Sequence, residues 1–427
     1  MKFWSTYSGI ISITILAVIT IVIPVYQLSH EQALDLKSYY VAGHLAIEGR
    51  NIYDPGNQMT VVRQQQLGDV YYPYIYFPIV AIGFMPLATL PFNTVQWLWY
   101  VLSMLTFLLS LYMLYNTALK HFTQSGKYHY GRYLPGISII IFPSLMAGLT
   151  SNFINGQTNT QILLLLTLCI VALDIRKDYA AGFCLGILAM IKPQPLLIVP
   201  YFFIIKRFKA ASATIVTFTV GSLLTGILIG WDTFMYYTHE VLPSFAMKAT
   251  QFPPILINAP PNRSIQGLIM RLFTSSRWNP ALINMPNAAP LIARLSVLLI
   301  IVITALFLFK RLKQSLSFDQ IWTDIGWLAL TSVIISPLTW DHHFVLLIVF
   351  SVPMAVQLLN RPLRRSGLVM IAAWILIAIP SFPMNTFWHN THLGHFGLSF
   401  QTLALLLLWF VYGRYYIGTS DRRSNHV

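Results

Sequence analysis

What most constrains this chain is a series of apolar runs, each about 20 residues long, parted by short clusters of lysine and arginine. The first, Tyr7 to Leu28, is long enough to cross a hydrocarbon core of about 30 Å as a helix rising 1.5 Å per residue. Lipid offers no partner for a bare peptide N–H or C=O, so a spanning segment must be a helix or part of a closed barrel. These runs are continuously apolar and do not alternate, which selects helices. With 56% hydrophobic and 9% charged residues and a mean hydropathy of +0.64, the chain lies far from soluble proteins, of which about a quarter of residues are charged.

A net charge of +14 could suggest nucleic acid, but its distribution points elsewhere. The basic residues cluster between the apolar runs: Lys120, Lys127, Arg132; Arg176, Lys177; Lys206, Arg207, Lys209; Lys310, Arg311, Lys313; Arg361, Arg364, Arg365; and Arg414, Arg422, Arg423. By the positive-inside rule these are cytoplasmic loops. Most of the acids, among them Asp35, Glu48, Asp54, Asp69 and Asp341, fall in the other segments. The implied path runs out through 7–29, back through 95–118, out through 134–151 and back through 159–175. It continues out through 211–230, inward through 289–309, outward through 320–337, inward through 344–359, outward through 367–384 and inward through 398–417, with both termini cytoplasmic. The stretch 180–205 has basic residues at both ends and Lys192-Pro193-Gln194-Pro195 at its middle, which predicts two half-helices meeting near the outer face. Tyr74 to Pro91 is expected as a partly embedded outer helix, since a full span there would invert the basic cluster that follows. The expectation is an all-α polytopic membrane protein of one domain, 1–427, with about 11 to 13 membrane segments and structured outer juxtamembrane loops. Its first run reads as a retained anchor, because it exceeds a signal-peptide core and no small-residue cleavage site follows. Cys169 and Cys184 sit inside apolar runs at no ligand spacing and read as small buried hydrophobes.

The outer ends collect the unusual polar motifs, and polar groups at membrane depth are functional hypotheses by default. Asp35 follows the first span and precedes Tyr39-Tyr40; Tyr76-Phe77-Pro78, Asn155-Gly156-Gln157-Thr158-Asn159, Lys192-Pro193-Gln194-Pro195, Asn262-Arg263-Ser264 with Gly267, and Ser336-Pro337 leading to Trp340-Asp341-His342-His343 complete the set. A shared pocket would hold one carboxylate, two cations, two imidazoles, and amides and phenols suited to sugar hydroxyls. That inventory fits transfer of a sugar from a lipid phosphate. The leaving group is already anionic, so cations suffice to stabilise it, and one carboxylate can deprotonate the acceptor hydroxyl as it attacks the anomeric carbon from the opposite face, with inversion.

Taken together over residues 30 to 345, these motifs resemble glycosyltransferase family 87. The resemblance implies the GT-C membrane fold and a polyprenyl-phosphate sugar donor, mannose foremost, with a glycolipid or polysaccharide acceptor. It implies Asp35 as catalytic base and an active-site histidine in the pair His342 and His343. Substrate contacts are expected from Tyr39, Tyr40, Tyr76, Gln157, Asn159, Lys192, Asn262, Arg263 and Trp340, with no cofactor and no metal. The expected location is the plasma (inner) membrane, with the site on the non-cytoplasmic side. Each residue also has a plainer reading: Asp35 as a helix cap, Lys192 snorkelling to the interface, the asparagines satisfying a tight turn, the tyrosines in an aromatic belt. The rival function is a secondary transporter, which would place broken helices in matching positions of two repeats; only the break at Lys192 is visible.

Overall fold

The computed structural model describes residues 33–123, 148–247, 257–278, 280–311, 315–359, 364–379 and 397–414, and among these it is helical without strands. The predicted first span 7–29 lies outside the described residues, as do most of 134–151 and the far ends of 367–384 and 398–417. Among the described residues, four helical stretches are long and apolar enough to cross a membrane: Phe92–Ala118, Phe208–Ile229, Ala289–Phe309 and Asp341–Leu358. They coincide with four of the runs read from the sequence. The first three are exposed along most of their length, through side chains such as Leu105, Leu224 and Leu299, whereas the fourth is almost wholly enclosed. A membrane protein presents its leucine faces to lipid tails and keeps its mixed faces inside.

The described residues open with α1 (Leu34–Ile47), α2 (Pro55–Gln64) and α3 (Pro78–Ala88), which share a tyrosine-rich core of Tyr39, Tyr40, Tyr53 and Tyr74. Asp54 caps α2 by accepting from the N–H of Asn57, and prolines at 55 and 78 open α2 and α3, where a missing N–H costs nothing. Then come α4 (Phe92–Thr123), a helical turn at 148–155, α5 (Asn159–Asp174) and α6 (Asp178–Ile191). Helix α6 ends where the sequence predicts. Lys192 is extended (φ −142°, ψ 117°), as a residue before proline prefers, and a 3₁₀ turn, Gln194–Leu197, leads into α7 (Ile198–Ile204). The segment is therefore two helices with a break at Lys192-Pro193.

Helix α8 (Phe208–Ile229) packs closely on α6, because a Cβ at Gly182 or Gly186 would collide with the Ala210 carbonyl or with Thr217. Small residues at such crossings let helices gain contact that lipid cannot compete with. Short helices α9 (Trp231–Tyr236) and α10 (Leu242–Phe245) flank a π-helical turn, and α11 (Ile265–Phe273) is capped by Ser264 on Gly267. Next are α12 (Ala289–Phe309), α13 (Phe318–Ile335), the 3₁₀ turn Asp341–Leu347 with α14 (Ile348–Leu359), α15 (Arg365–Ala378) and α16 (Phe400–Tyr412). Helices α13 and α14 form the centre of the larger core, with Trp322 and Trp327 fully buried.

One basic residue departs from its cluster. Arg311 turns inward and pairs with Asp324 at 3.3 Å, whose other oxygen accepts from the Tyr201 hydroxyl at 2.9 Å. A carboxylate enclosed within α13 requires such partners.

Candidate active site

Asp35 sits in the first turn of α1. The helix starts after Ala33, whose left-handed backbone (φ 64°) and N–H to the Ile154 carbonyl (2.9 Å) dock its N-terminus against the turn at 148–157. No side chain caps that end, so the capping reading of Asp35 has no counterpart in the geometry. That turn is shaped by Gly156. Its φ is +65°, and a Cβ there would lie 2.6 Å from Cβ of Leu36, so only glycine fits both the conformation and the approach of α1. Trp99 Nε1 donates to the Gly156 carbonyl at 2.8 Å, and Asn152 Oδ1 accepts from the backbone N–H and Nδ2 of Asn159 at 3.2 and 3.1 Å.

On one side of this turn the carboxylate is dressed by phenols and an amide. The Tyr76 hydroxyl donates to Asp35 Oδ1 at 3.1 Å and accepts from Gln157 Nε2 at 2.9 Å, while the Tyr39 hydroxyl donates to Gln157 Oε1 at 3.2 Å. The two tyrosine rings meet edge to face, 4.8 Å between centroids. Half-buried, the Asp35 carboxyl is pushed above the ordinary carboxylate value by burial, against the opposing pull of Gln157, Tyr76 and the Lys192 charge. Tyr76→Phe removes one of the groups that favour the ionised form. A base works only when ionised, so this variant is expected to shift the acid limb of the pH–activity profile to higher pH while keeping turnover at alkaline pH. An unmoved acid limb would show that Tyr76 does not tune Asp35.

On the other side lies the cation. Lys192 is buried at the end of α6, with Nζ donating to Asn159 Oδ1 at 2.8 Å and lying 2.9 Å from His343 Nε2. His343 Nδ1 accepts from the Trp340 N–H at 2.9 Å, which fixes the orientation of the imidazole beside Lys192. An ammonium has three donors, and the bond to Asn159 uses one. His342 lies between the rings of Trp340 and His343, and its buried Nδ1 has no hydrogen-bond partner among the described residues.

The structure thus gathers Asp35, Tyr39, Tyr76, Gln157, Asn159, Lys192, Trp340, His342 and His343. Three other sequence candidates stand apart. The Tyr40 hydroxyl donates to the Leu90 carbonyl at 2.8 Å and its ring packs on Phe92, so it fastens α1 to the start of α4. Asn262, fully buried, donates through Nδ2 to the Ile257 and Pro337 carbonyls and accepts through Oδ1 from the N–H groups of Ser264 and Thr339. Arg263 has no exposed surface: Nε donates to Asp341 Oδ1 at 3.2 Å, and Nη1 to the carbonyls of Pro260 and Leu398. These two residues frame the loop 336–343 from behind. Sequence reasoning missed Asn152 and Arg271, the latter buried with its guanidinium on Ser399 and on the Ala259 and Asn262 carbonyls. Asn152 left a faint signal in its seven-residue spacing to Asn159. Among the described residues, no group of three or more His, Cys, Asp or Glu is placed to hold a metal ion.

The model of glycosyltransferase family 87 matches residues 74–337. The chain is similar to a polyprenol-phosphate-mannose-dependent alpha-(1-2)-phosphatidylinositol pentamannoside mannosyltransferase of Mycobacterium tuberculosis (strain CDC 1551 / Oshkosh), 26% identical over 400 residues that cover 90% of this chain and 84% of the relative. The protein of the same description from Mycolicibacterium smegmatis is 26% identical, covering 88% and 84%. A polyprenol-phosphate-mannose-dependent alpha-(1-2)-phosphatidylinositol mannoside mannosyltransferase of Mycobacterium tuberculosis (strain ATCC 25618 / H37Rv) is 23% identical, covering 73% and 67%. No solved structure matches the chain.

Proposed function

The chain belongs to glycosyltransferase family 87, and from that premise we propose that it transfers mannose from a polyprenyl-phosphate carrier to a hydroxyl of a glycolipid on the non-cytoplasmic face. The donor and the acceptor class are those in the names of its mannosyltransferase relatives, whose acceptors are phosphatidylinositol mannosides. The observation that carries the mechanism is that one turn, Gln157 to Asn159, serves a carboxylate and a cation together: Gln157 reaches Asp35 through Tyr76, and Asn159 holds Lys192.

Asp35 takes the proton of the acceptor hydroxyl. The freed oxygen attacks the anomeric carbon of the mannose, and the bond from that carbon to the phosphate oxygen breaks with its electron pair staying on the polyprenyl phosphate. Lys192 stabilises the charge that builds on that phosphate. With one carboxylate and no second acid to form a covalent intermediate, direct displacement inverts the configuration. Tyr76, Gln157 and Tyr39 orient the base, and their polar atoms are taken up by one another and by Asp35.

The side of the membrane rests on the charge pattern, since the basic clusters flank helix ends opposite to those bearing Asp35 and His343. Sealed right-side-out vesicles carrying the protein, with polyprenyl-phospho-mannose in the bilayer and methyl α-mannoside outside, are expected to release polyprenyl phosphate and mannosylate the external sugar. Absence of release overturns the transferase reading. Release only after the vesicles are opened overturns the assignment of side.

A further inference from the structure

Helices α10, α11 and α12 border a groove of about 460 Å³ whose lining includes Leu242, Phe245, Gln266, Arg294, Val297 and Pro337. That is the size of a small-molecule site, about 300 to 1,000 Å³. The groove adjoins lipid, because α12 leaves Leu291, Leu295 and Leu298 exposed beside Arg294 and Val297. Its lining is apolar apart from two side chains. Gln266 is engaged, with Nε2 donating to the Ile335 carbonyl at 3.3 Å. Arg294 is the one charged residue of α12; its Nη2 donates to the Ala246 carbonyl at 2.7 Å, and its other N–H groups have no hydrogen-bond partner among the described residues. A guanidinium inside a spanning helix is costly and marks a binding path.

Two walls of the groove are extensions of the active site. Pro337 follows Ser336, whose hydroxyl accepts from Gln194 Nε2 at 3.1 Å, two residues beyond Lys192. On the opposite wall, α10 continues from the π-helical turn Tyr237–Val241. The Tyr237 ring packs on Phe77 and Tyr53 with centroids 5.3 and 5.6 Å apart, and the Tyr53 hydroxyl donates to the carbonyl of Tyr76, the residue bonded to Asp35. The groove therefore runs between the segment that holds the carboxylate and the loop that adjoins the cation.

We propose that this groove holds the isoprenoid chain of the polyprenyl-phosphate carrier, with Arg294 attracting the carrier's phosphate from the bilayer surface; this rests on the transferase reading above. In the carrier, the phosphate that leaves the sugar is bonded directly to the first isoprene unit, so the chain must start beside Lys192. The acyl chains of a phosphatidylinositol mannoside are parted from the attacking hydroxyl by inositol and sugars and have no need to approach Lys192. An apolar trough with one guanidinium that keeps free donors matches a hydrocarbon that ends in a phosphate.

The test narrows the groove in the full-length protein with Val297→Trp on one wall and, independently, Leu242→Trp on the other, where the exposed side chain leaves room for the larger ring. Mannosyl transfer is measured with long-chain polyprenyl-phospho-mannose and with citronellyl-phospho-mannose, whose chain is too short to fill the groove. Each variant is expected to lower the long-to-short ratio of kcat/KM about tenfold, which corresponds to about 1.4 kcal/mol, with the acceptor KM unchanged. Leu298→Trp, on the lipid face of α12 outside the groove, keeps the wild-type ratio. Arg294→Gln is expected to raise KM about fivefold for both donors, the upper range for an exposed ion pair. A wild-type ratio in both groove variants overturns the proposal, and so does a rise in acceptor KM in place of the fall in ratio, which would give the groove to the acceptor lipid. An unchanged donor KM in Arg294→Gln overturns the role of the guanidinium. Binding of polyprenyl phosphate without sugar, measured by native mass spectrometry, separates the groove from the reaction. Binding that the wild type shows and Leu242→Trp loses, in a protein that performs no transfer, would sink the transferase reading and leave the groove standing.

Discussion

Asp35→Asn is expected to eliminate mannosyl transfer in a protein that still folds and inserts. Loss of a general base costs about 10² to 10⁴-fold in rate, whereas loss of a helix cap costs about 1 kcal/mol of stability and spares turnover. The geometry separates the two cases, because the start of α1 is held by the Ala33 N–H on Ile154 and not by the Asp35 side chain. Asparagine keeps the size and one acceptor oxygen for the Tyr76 hydroxyl, so the phenol and amide network survives. Release of polyprenyl phosphate by the purified variant, beside a thermal unfolding curve, checks both halves. Near-wild-type turnover in a normally expressed Asp35→Asn protein would reject the assignment, and the pH dependence attributed to Tyr76 would need another base.

How far the fold could be read in advance follows from what lipid does to a sequence. The run 289–309 matches α12 at both ends, because a helix facing lipid must be apolar on its outside and has no other way to satisfy its backbone. The break at Lys192-Pro193 was legible for an equally local reason: proline removes a donor and constrains the residue before it. Helix α1 was not legible. Its sequence mixes Lys37, Ser38, Tyr39, Tyr40 and His44 without an apolar stripe, and it folds as a helix because other protein surrounds it, with Lys37 and Ser38 as buried as Leu36. A helix buried on all sides gives no amphipathic signal.

The site divides along the same line. Asp35, Lys192 and the histidine pair stand out because ionisable groups beside membrane helices are costly and few. Asn262 and Arg263 stand out equally in the sequence, yet their partners are the carbonyls of Pro337 and Leu398 and the carboxylate of Asp341, up to 135 residues away. Nothing local distinguishes an arginine that will grip a phosphate from one that will brace a loop. Tyr76 shows the opposite difficulty: composition marks it as a belt residue, and only its contacts with Asp35 and Gln157 make it an orienting phenol.

Lys192 is where loss of charge should fall hardest after Asp35. A phosphate monoester leaving group bears at most two negative charges, and the ammonium held between Asn159 and His343 meets them as they develop. Lys192→Ala is expected to lower kcat by about 10² to 10³, the range found when one preorganised donor is removed from a site of developing charge, and to raise the donor KM as well. Lys192→Arg is expected to restore little, since a planar fork does not fit a socket built by one amide oxygen and one ring nitrogen around a compact ammonium. Because the charge is met by a side chain, turnover should survive EDTA in the wild type. A divalent ion would want several carboxylate oxygens, and Asp341 is already bound to Arg263 at 3.2 Å. If EDTA abolishes turnover and Mg²⁺ or Mn²⁺ restores it, Asp35 becomes a metal ligand and the base-and-ammonium mechanism fails; if Lys192→Ala changes KM alone, the ammonium binds the donor without acting in the transition state.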